Sequence, residues 1–162
     1  MLRCKVRIEP SALLLLAGFV LLSSPVLLAA LLFASLCHEM GHYAALRLTG
    51  GTVKELHITV FGIEMRVAGH AGYGGEFLTT LAGPAVNLLL AVLFGFLGKW
   101  YPLLYLFSGA QAVLGVFNLL PIRPLGGGSL LWIAVAYFTE PYTADRVAEW
   151  MGFCVSLCHI GR

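Results

Sequence analysis

Charged residues are scarce in this sequence. Asp, Glu, Lys and Arg make up 11% of its 162 residues, whereas an ordinary soluble domain carries about 25%. Hydrophobic residues make up 59%, which excludes an intrinsically disordered chain because such chains are poor in apolar residues. A formal net charge of +2 without a long basic run argues against a nucleic-acid partner. The composition predicts an integral membrane protein, and the length predicts a single domain over residues 1–162.

Four long segments contain no charged residue at all. They cover residues 10–38, 77–98, 100–122 and 124–139. A membrane-spanning helix needs about 20 mostly apolar residues, and the first segment is too long for one helix. Ser23, Ser24 and Pro25 lie inside it, so we expect two elements, over residues 11–22 and 25–48. We therefore expect an all-α membrane bundle of about four to six spans. Its parts are first spans within residues 11–48, core helices over 77–98 and 102–125, and marginal apolar segments over 128–160.

Three basic residues lie close to the N-terminus, namely Arg3, Lys5 and Arg7. The positive-inside rule places them on the cytoplasmic side of the membrane. A cleaved signal peptide is the alternative, because basic residues also precede the apolar part of such peptides. The apolar stretch here runs on into residues 38–42 without a convincing cleavage site, so a retained, cytoplasmic N-terminus is the expectation.

Residues 52–70 differ from the rest of the chain in their periodicity. Lys54, Glu64 and Arg66 stand at even positions, whereas the odd positions hold Val53, His57, Thr59, Phe61, Ile63, Met65 and Val67. A period near two is typical of a half-buried strand. This segment therefore predicts a small β-hairpin or edge sheet at the membrane face, followed by a loop over 69–75.

Cysteine is also scarce, with four residues that do not form a disulfide framework. Cys154 and Cys158 lie one helical turn apart, and His159 follows them. A metal site is one interpretation of this cluster. Small apolar residues inside a helix are the favoured one, because free cysteine is often simply buried.

The chemistry is concentrated in one motif, His38-Glu39-Met40-Gly41-His42. Residues four apart on an α-helix return to nearly the same face, so both imidazoles can reach one zinc ion. Glu39 stands beside them and can accept a proton from a water that zinc acidifies. Random placement of this composition gives roughly 0.0065 such motifs in the chain. An ionisable cluster on an apolar helix is moreover costly and indicates a functional site.

A second segment, FNLLPIRPLGGG at residues 117–128, accompanies this motif. Together the two resemble the site-2 protease family of intramembrane zinc metalloproteases (peptidase family M50), nearest the bacterial stage IV sporulation FB type. The resemblance implies that His38 and His42 bind zinc, that Glu39 is the general base, and that Asn118 and Pro121 lie near the substrate path. It also implies a bacterial cytoplasmic membrane and a membrane-embedded protein or peptide as substrate.

Residues 82–87 and 52–70 extend this resemblance. The stretch AGPAVN would begin the middle core helix, with Pro84 shaping its start. Asn87 in that stretch has two interpretations, an interhelical hydrogen bond and a substrate contact. The family's edge strands can capture an unwound substrate by β-pairing, and residues 52–70 would provide them here.

The sequence departs from the family pattern at one position. The family reads Asn-x-x-Pro-x-x-x-x-Asp-Gly and takes its third zinc ligand from the Asp, whereas this chain has Gly126. His57, His70 and Asp145 are the candidates for a replacement ligand. The chain is therefore an inactivated protease, a pseudoprotease that binds transmembrane segments without cutting them, or an active enzyme with another ligand. A small transporter or channel component is a more distant alternative.

Overall fold

The computed structural model describes residues 5–59, 62–68, 72–122 and 125–138. Within these ranges the chain forms five α-helices and three β-strands. In chain order they are β1 (Lys5–Ile8), α1 (Pro10–Leu22), α2 (Pro25–Leu48), β2 (Thr52–Thr59), β3 (Gly62–Ala68), α3 (Gly72–Leu97), α4 (Leu104–Asn118) and α5 (Gly126–Phe138). The fold is thus mostly helical with one small sheet, and this coarse part of the prediction is confirmed.

The long uncharged segment at the N-terminal end holds two helices. Ser24 ends the break between them and caps α2, because its side-chain oxygen accepts a hydrogen bond of 3.3 Å from the Leu27 N–H. Pro25 then occupies the first helical turn, where a missing N–H does no harm. At the other end Gly50 adopts a φ of 82°, a left-handed conformation that suits glycine and ends the helix.

Helix α3 begins earlier than the charge pattern predicts. It starts at Gly72 rather than residue 77, so the predicted loop over 69–75 is wrong for its last four residues. Absence of charge was a poor boundary marker, since Glu76 is accommodated in the helix. Pro84 lies inside α3 and does not shape a helix start. Its missing N–H leaves the Thr80 carbonyl without the usual helical donor.

Helices α2, α3 and α4 form the centre of the bundle. Ala30 and Ala34 of α2 are fully buried and cluster with Ala110 of α4. Side chains this small let the two helix backbones approach closely. Next to these alanines, one phenylalanine from each of α2, α3 and α4 packs against the other two, with ring centroids 5.9–6.3 Å apart. These residues are Phe33, Phe94 and Phe107.

The sheet has the strand order β1-β2-β3. β2 and β3 are antiparallel, with Thr59 opposite Gly62 and a register irregularity between Val53 and Glu55. β1 pairs with β2 in parallel, with Lys5 opposite Glu55. The sequence analysis missed β1, because four residues are too few to display a period. The chain leaves β1 almost directly into α1, so the sheet is attached to the start of the bundle.

Two helices are long and apolar enough to cross a membrane, α2 and α3, within the described part of the chain. The helices α1, α4 and α5 are apolar but shorter. Many large apolar side chains on these helices are exposed. They include Leu14, Leu22, Leu89, Val92 and Val113, all more than 60% exposed. The predicted number of four to six spans stays a prediction.

Several predicted features lie outside the described residues. They are Cys4, His70 and everything from residue 139 onward, which includes Asp145, Cys154, Cys158 and His159. The predicted segment 128–160 is therefore described only as far as α5, which begins at Gly126, two residues earlier than the prediction.

Candidate metal centre

The two histidines of the HEMGH motif lie on one face of α2. Their rings are 4.6 Å apart between centroids and nearly perpendicular, at 87°. The Nε2 atom of His38 lies 3.0 Å from the Nε2 atom of His42. The helical spacing of four residues produces this arrangement, since one and a tenth turns bring both side chains to the same side.

The orientation of the His42 ring is set by the backbone of α3. Its Nδ1 lies 2.7 Å from the carbonyl oxygen of Thr79. A carbonyl oxygen can only accept, so Nδ1 carries the proton and donates it to this bond. In a neutral imidazole the other nitrogen is then the bare acceptor. His42 therefore presents an Nε2 lone pair toward His38.

The His38 ring is oriented by a side chain of α3. Its Nδ1 lies 3.2 Å from Oδ1 of Asn87, and Nδ2 of Asn87 donates to the carbonyl oxygen of Ala34 at 3.3 Å. The second bond assigns the amide, because the reversed orientation would set two acceptor oxygens against each other. Nδ1 of His38 is thus the donor, and its Nε2 is bare as well.

Two bare imidazole nitrogens therefore face each other at 3.0 Å. Their lone pairs repel unless a cation lies between them. Two zinc–nitrogen bonds of about 2.05 Å at a tetrahedral angle would place the nitrogens about 3.3 Å apart, close to the spacing found. The pair fits zinc as two of its ligands, with the Nδ1 atoms held by the kind of acceptor that commonly orients ligating histidines.

Glycines on α2 and α3 allow these two helices to approach each other closely beside the histidines. A methyl group on Gly41 would lie 2.8 Å from the Ala82 carbonyl oxygen, which is too close for any real contact. A methyl group on Gly83 would overlap Nε2 of His42. The ring of His42 thus packs directly against the backbone of Gly83, in the space that a side chain would fill.

Glu39 follows His38 on α2 and is partly buried. His38 and His42 share one face of α2. A rotation of about 100° per residue places Glu39 next to that face. A carboxylate there can exchange a proton with a molecule held near the histidine pair.

The start of α5 packs against α3 and the end of α4. A methyl group on Gly126 would lie 3.3 Å from the Asn118 carbonyl oxygen and 3.8 Å from Cγ2 of Thr80. Thr80 directly follows Thr79, whose carbonyl accepts from His42. The position where the family pattern has Asp therefore lies beside the part of α3 that contacts His42. Asn118 itself ends α4 and donates from Nδ2 to the Leu114 carbonyl at 3.0 Å.

The described residues contain no group of three His, Cys, Asp or Glu side chains that could hold a metal ion. His57, a candidate for the missing ligand, lies on β2, where its Nε2 is 3.3 Å from Oε2 of Glu55. The structure thus places His57 with a carboxylate of the sheet. The other two candidates, His70 and Asp145, lie outside the described ranges.

Sequence reasoning named His38, His42 and Glu39 but missed the two acceptors that orient the rings. The Thr79 contact uses a backbone carbonyl, which leaves no trace in a residue pattern. Asn87 was singled out with an interhelical bond as one interpretation, and that bond is present. Its contact with His38 had no signal beyond the rarity of a polar residue in an apolar helix.

Comparisons with known proteins place this geometry in context. A family model described as Peptidase M50B-like matches residues 11–160. Rip3 of Mycobacterium tuberculosis is 34% identical over 121 residues, which cover 64% of this chain and 29% of that protein. The zinc metalloprotease MJ0392 of Methanocaldococcus jannaschii is 33% identical over 110 residues, covering 62% and 32%. The chain spans about a third of the length of these curated relatives.

One solved structure resembles the whole arrangement. The site-2 protease from Methanocaldococcus jannaschii superposes with a TM-score of 0.73 at 22% sequence identity. The superposition covers 94% of this chain and 77% of that one. At this level of identity the likeness concerns the fold.

Proposed function

The chain belongs to the Peptidase M50B-like family, and on that premise we propose that it is a zinc metalloendopeptidase that hydrolyses a peptide bond in or near a transmembrane segment of its substrate. The observation that carries this proposal is the pair of bare Nε2 atoms of His38 and His42, 3.0 Å apart. The name of the similar protein MJ0392 supports zinc as the metal.

In this proposal the two histidines and Glu39 have different roles. Bound zinc would supply Lewis-acid activation of water and of the scissile carbonyl. His38 and His42 hold the metal through Nε2. Glu39 accepts the proton of the attacking water and delivers it to the leaving amine, as a general base and then a general acid.

We place this reaction in a membrane. The helices α2 and α3 are long and apolar enough to span one, and their exposed surface is largely apolar, as lipid contact requires. In lipid a single peptide segment can hydrogen-bond all its backbone N–H and C=O groups within itself only as a helix. A substrate must therefore unwind before its carbonyl becomes accessible.

The sheet offers a place for an unwound substrate. β3 lies at one end of the strand order β1-β2-β3, so within the described residues its outer edge pairs with no other strand. An extended peptide can add to such an edge through backbone hydrogen bonds. Asn118 and Pro121, at the turn that follows α4, would lie along the same path.

A second candidate function is favoured by one specific observation. Gly126 occupies the position of the third ligand and has no side chain to bind with. Catalytic zinc commonly has three protein ligands, and displacement of a reacting group by about 1 Å lowers a rate by about 100-fold. The alternative is therefore a pseudoprotease that binds transmembrane segments or serves as a membrane scaffold.

A cleavage assay separates the two. The full chain would be reconstituted with zinc in lipid vesicles with a fluorescently labelled transmembrane peptide. Cleavage that disappears on zinc removal and in Glu39→Gln supports the protease. Zinc binding without cleavage of this peptide, but with retained peptide binding, supports the pseudoprotease. A chain that binds no zinc contradicts the protease.

Three finer points of the proposal rest on the sequence alone. The stage IV sporulation FB type is proposed from residues 117–128. A bacterial cytoplasmic membrane and a cytoplasmic N-terminus are proposed from the same resemblance and from Arg3, Lys5 and Arg7. Labelling of a cysteine placed near residue 3 from either side of the membrane tests the orientation.

A further inference from the structure

We propose that Asn87 is a positioning residue: its amide fixes the proton of His38 on Nδ1 and thereby directs the Nε2 lone pair at the metal position. The inference rests on the proposed zinc site, because a histidine needs a fixed direction only if it binds something. Asn87 itself touches neither the metal position nor a substrate.

The contacts of Asn87 all point to one ring orientation. Its side chain is fully buried, at 0% exposure, so water does not compete for its amide. Oδ1 accepts from His38 Nδ1 at 3.2 Å and Nδ2 donates to the Ala34 carbonyl at 3.3 Å. Rotating the amide by 180° would break both bonds at once. A buried polar group with both ends satisfied has a single stable arrangement.

Both partners of this amide belong to α2. Ala34 lies one turn before His38 on the same helix, so Asn87 is attached to the backbone of α2 and to the ring that the helix carries. The second torsion of histidine has broad energy wells, which by themselves leave the ring freedom to turn. The bond from Asn87 removes that freedom and excludes the tautomer with a proton on Nε2.

The neighbouring helix keeps Asn87 itself in place. A methyl group on Gly115 of α4 would lie 3.1 Å from Cβ of Asn87. α4 therefore packs directly against the side chain. With its amide bonded to α2 and its Cβ against α4, Asn87 is held between these two helices.

The two histidines are held in different ways, and this makes the inference specific. On α3 the residues Thr79, Gly83 and Asn87 are spaced by four, as His42 and His38 are on α2. Thr79 orients His42 through its backbone carbonyl, which a substitution cannot remove. Asn87 orients His38 through a side chain. Substitution of Asn87 should thus affect one ligand and leave the other intact.

Zinc affinity of the purified full chain in detergent tests the proposal. In Asn87→Leu the amide is replaced by an apolar group of similar size, and we expect zinc to bind about 10- to 100-fold more weakly, as when other partners of ligating histidines are removed. Asn87→Asp keeps an oxygen facing Nδ1 and is expected to lose less. Equal affinity of wild type and Asn87→Leu would overturn the inference.

Gln111 provides a matched control on α4. It is another fully buried amide, and neither of its polar atoms has a hydrogen-bond partner in the described structure. Gln111→Leu changes core polarity in the same way as Asn87→Leu but breaks no bond to a histidine. We expect its zinc affinity to stay within about threefold of wild type. An equal loss in both variants would show general damage to the core and contradict the specific role of Asn87.

A second measurement does not depend on how the variants fold. Nitrogen-15 NMR of the zinc-loaded wild type reports which imidazole nitrogen carries the proton. We expect His38 to be protonated at Nδ1 and bound through Nε2, and the opposite assignment overturns the inference. If the wild type binds no zinc, the proposed function is refuted. If the wild type and Asn87→Leu bind zinc equally tightly, only the role of Asn87 is refuted.

Discussion

The Nε2 atoms of His38 and His42 face each other at 3.0 Å while their Nδ1 atoms are both engaged by α3. Each ring is thus turned so that its free lone pair points at the other. In an apolar bundle such an arrangement is unfavourable by itself. It becomes favourable when a cation is shared between the two nitrogens, and this supports the proposed metal site.

The first prediction concerns Glu39. Glu39→Gln keeps the size of the side chain but removes the carboxylate that accepts a proton. We expect zinc content to stay unchanged and cleavage of the transmembrane peptide to fall by about 100- to 10,000-fold, the range typical of general acid–base catalysis. Zinc content by atomic absorption and a cleavage time course check this. Retained cleavage would remove Glu39 from the mechanism.

The second prediction concerns Gly126. Gly126→Asp introduces a carboxylate at the third-ligand position of the family pattern, beside Thr80 of α3, and the Asn118 carbonyl, 3.3 Å from the new Cβ, must move by only a few tenths of an ångström. An added charged ligand should tighten zinc binding by about 100-fold. This equals the largest change in metal affinity seen when a group that hydrogen-bonds to a metal ligand is removed. Chelator competition measures this change.

Two variants at the same position provide the controls. Gly126→Ala adds the Cβ without a ligand, and Gly126→Asn adds the same shape without the charge. Both should leave zinc affinity close to that of wild type. If Gly126→Ala tightened binding as much as Gly126→Asp, the effect would come from the backbone at the start of α5 and not from ligation.

The third prediction concerns Gly83, whose backbone packs directly against the ring of His42. Gly83→Ala places a methyl group where that ring lies, which displaces the ring, and should weaken zinc binding by about 10-fold or more. Overpacking of this kind also costs about 1–3 kcal/mol of stability. Gly74→Ala, on the same helix but with no atom within 4 Å of the new methyl group, should change neither. Similar losses in both variants would argue against a special role for Gly83.

The fourth prediction tests the contact with lipid. Leu89 lies in the middle of α3 and is 71% exposed. Leu89→Arg should reduce membrane insertion by about 2.5–3.5 kcal/mol on the translocon scale. Tyr101→Arg, in the short connection between α3 and α4, places the same charge at a helix end and should have little effect. The two variants would be compared by the fraction that resists alkaline extraction from membranes, and equal recovery would contradict lipid contact at Leu89.

The residues whose predicted positions held were those with a local signal. His38 and His42 are fixed relative to each other by helical spacing, which is short in range and independent of the rest of the fold. The helices α1 and α2 were separable because Ser24 and Pro25 carry a cap and a helix start. Such features need no knowledge of which helices meet.

The features that were missed depend on distant contacts. Thr79 meets His42 across 37 residues, and Asn87 meets His38 across 49. No local pattern encodes which helix supplies these acceptors. β1 was missed for a similar reason, since its four residues become a strand only by pairing with β2. The early start of α3 at Gly72 shows that a charged residue does not mark a helix boundary.

X-ray absorption at the zinc edge tests the central claim most directly. The purified wild-type chain, loaded with zinc, should bind about one ion with two imidazole nitrogens at about 2.0–2.1 Å. His38→Ala and His42→Ala should each lose this signal, whereas His57→Ala, on the sheet, should keep it. A wild-type spectrum without histidine ligands, or an unchanged spectrum in both His38→Ala and His42→Ala, would contradict the account.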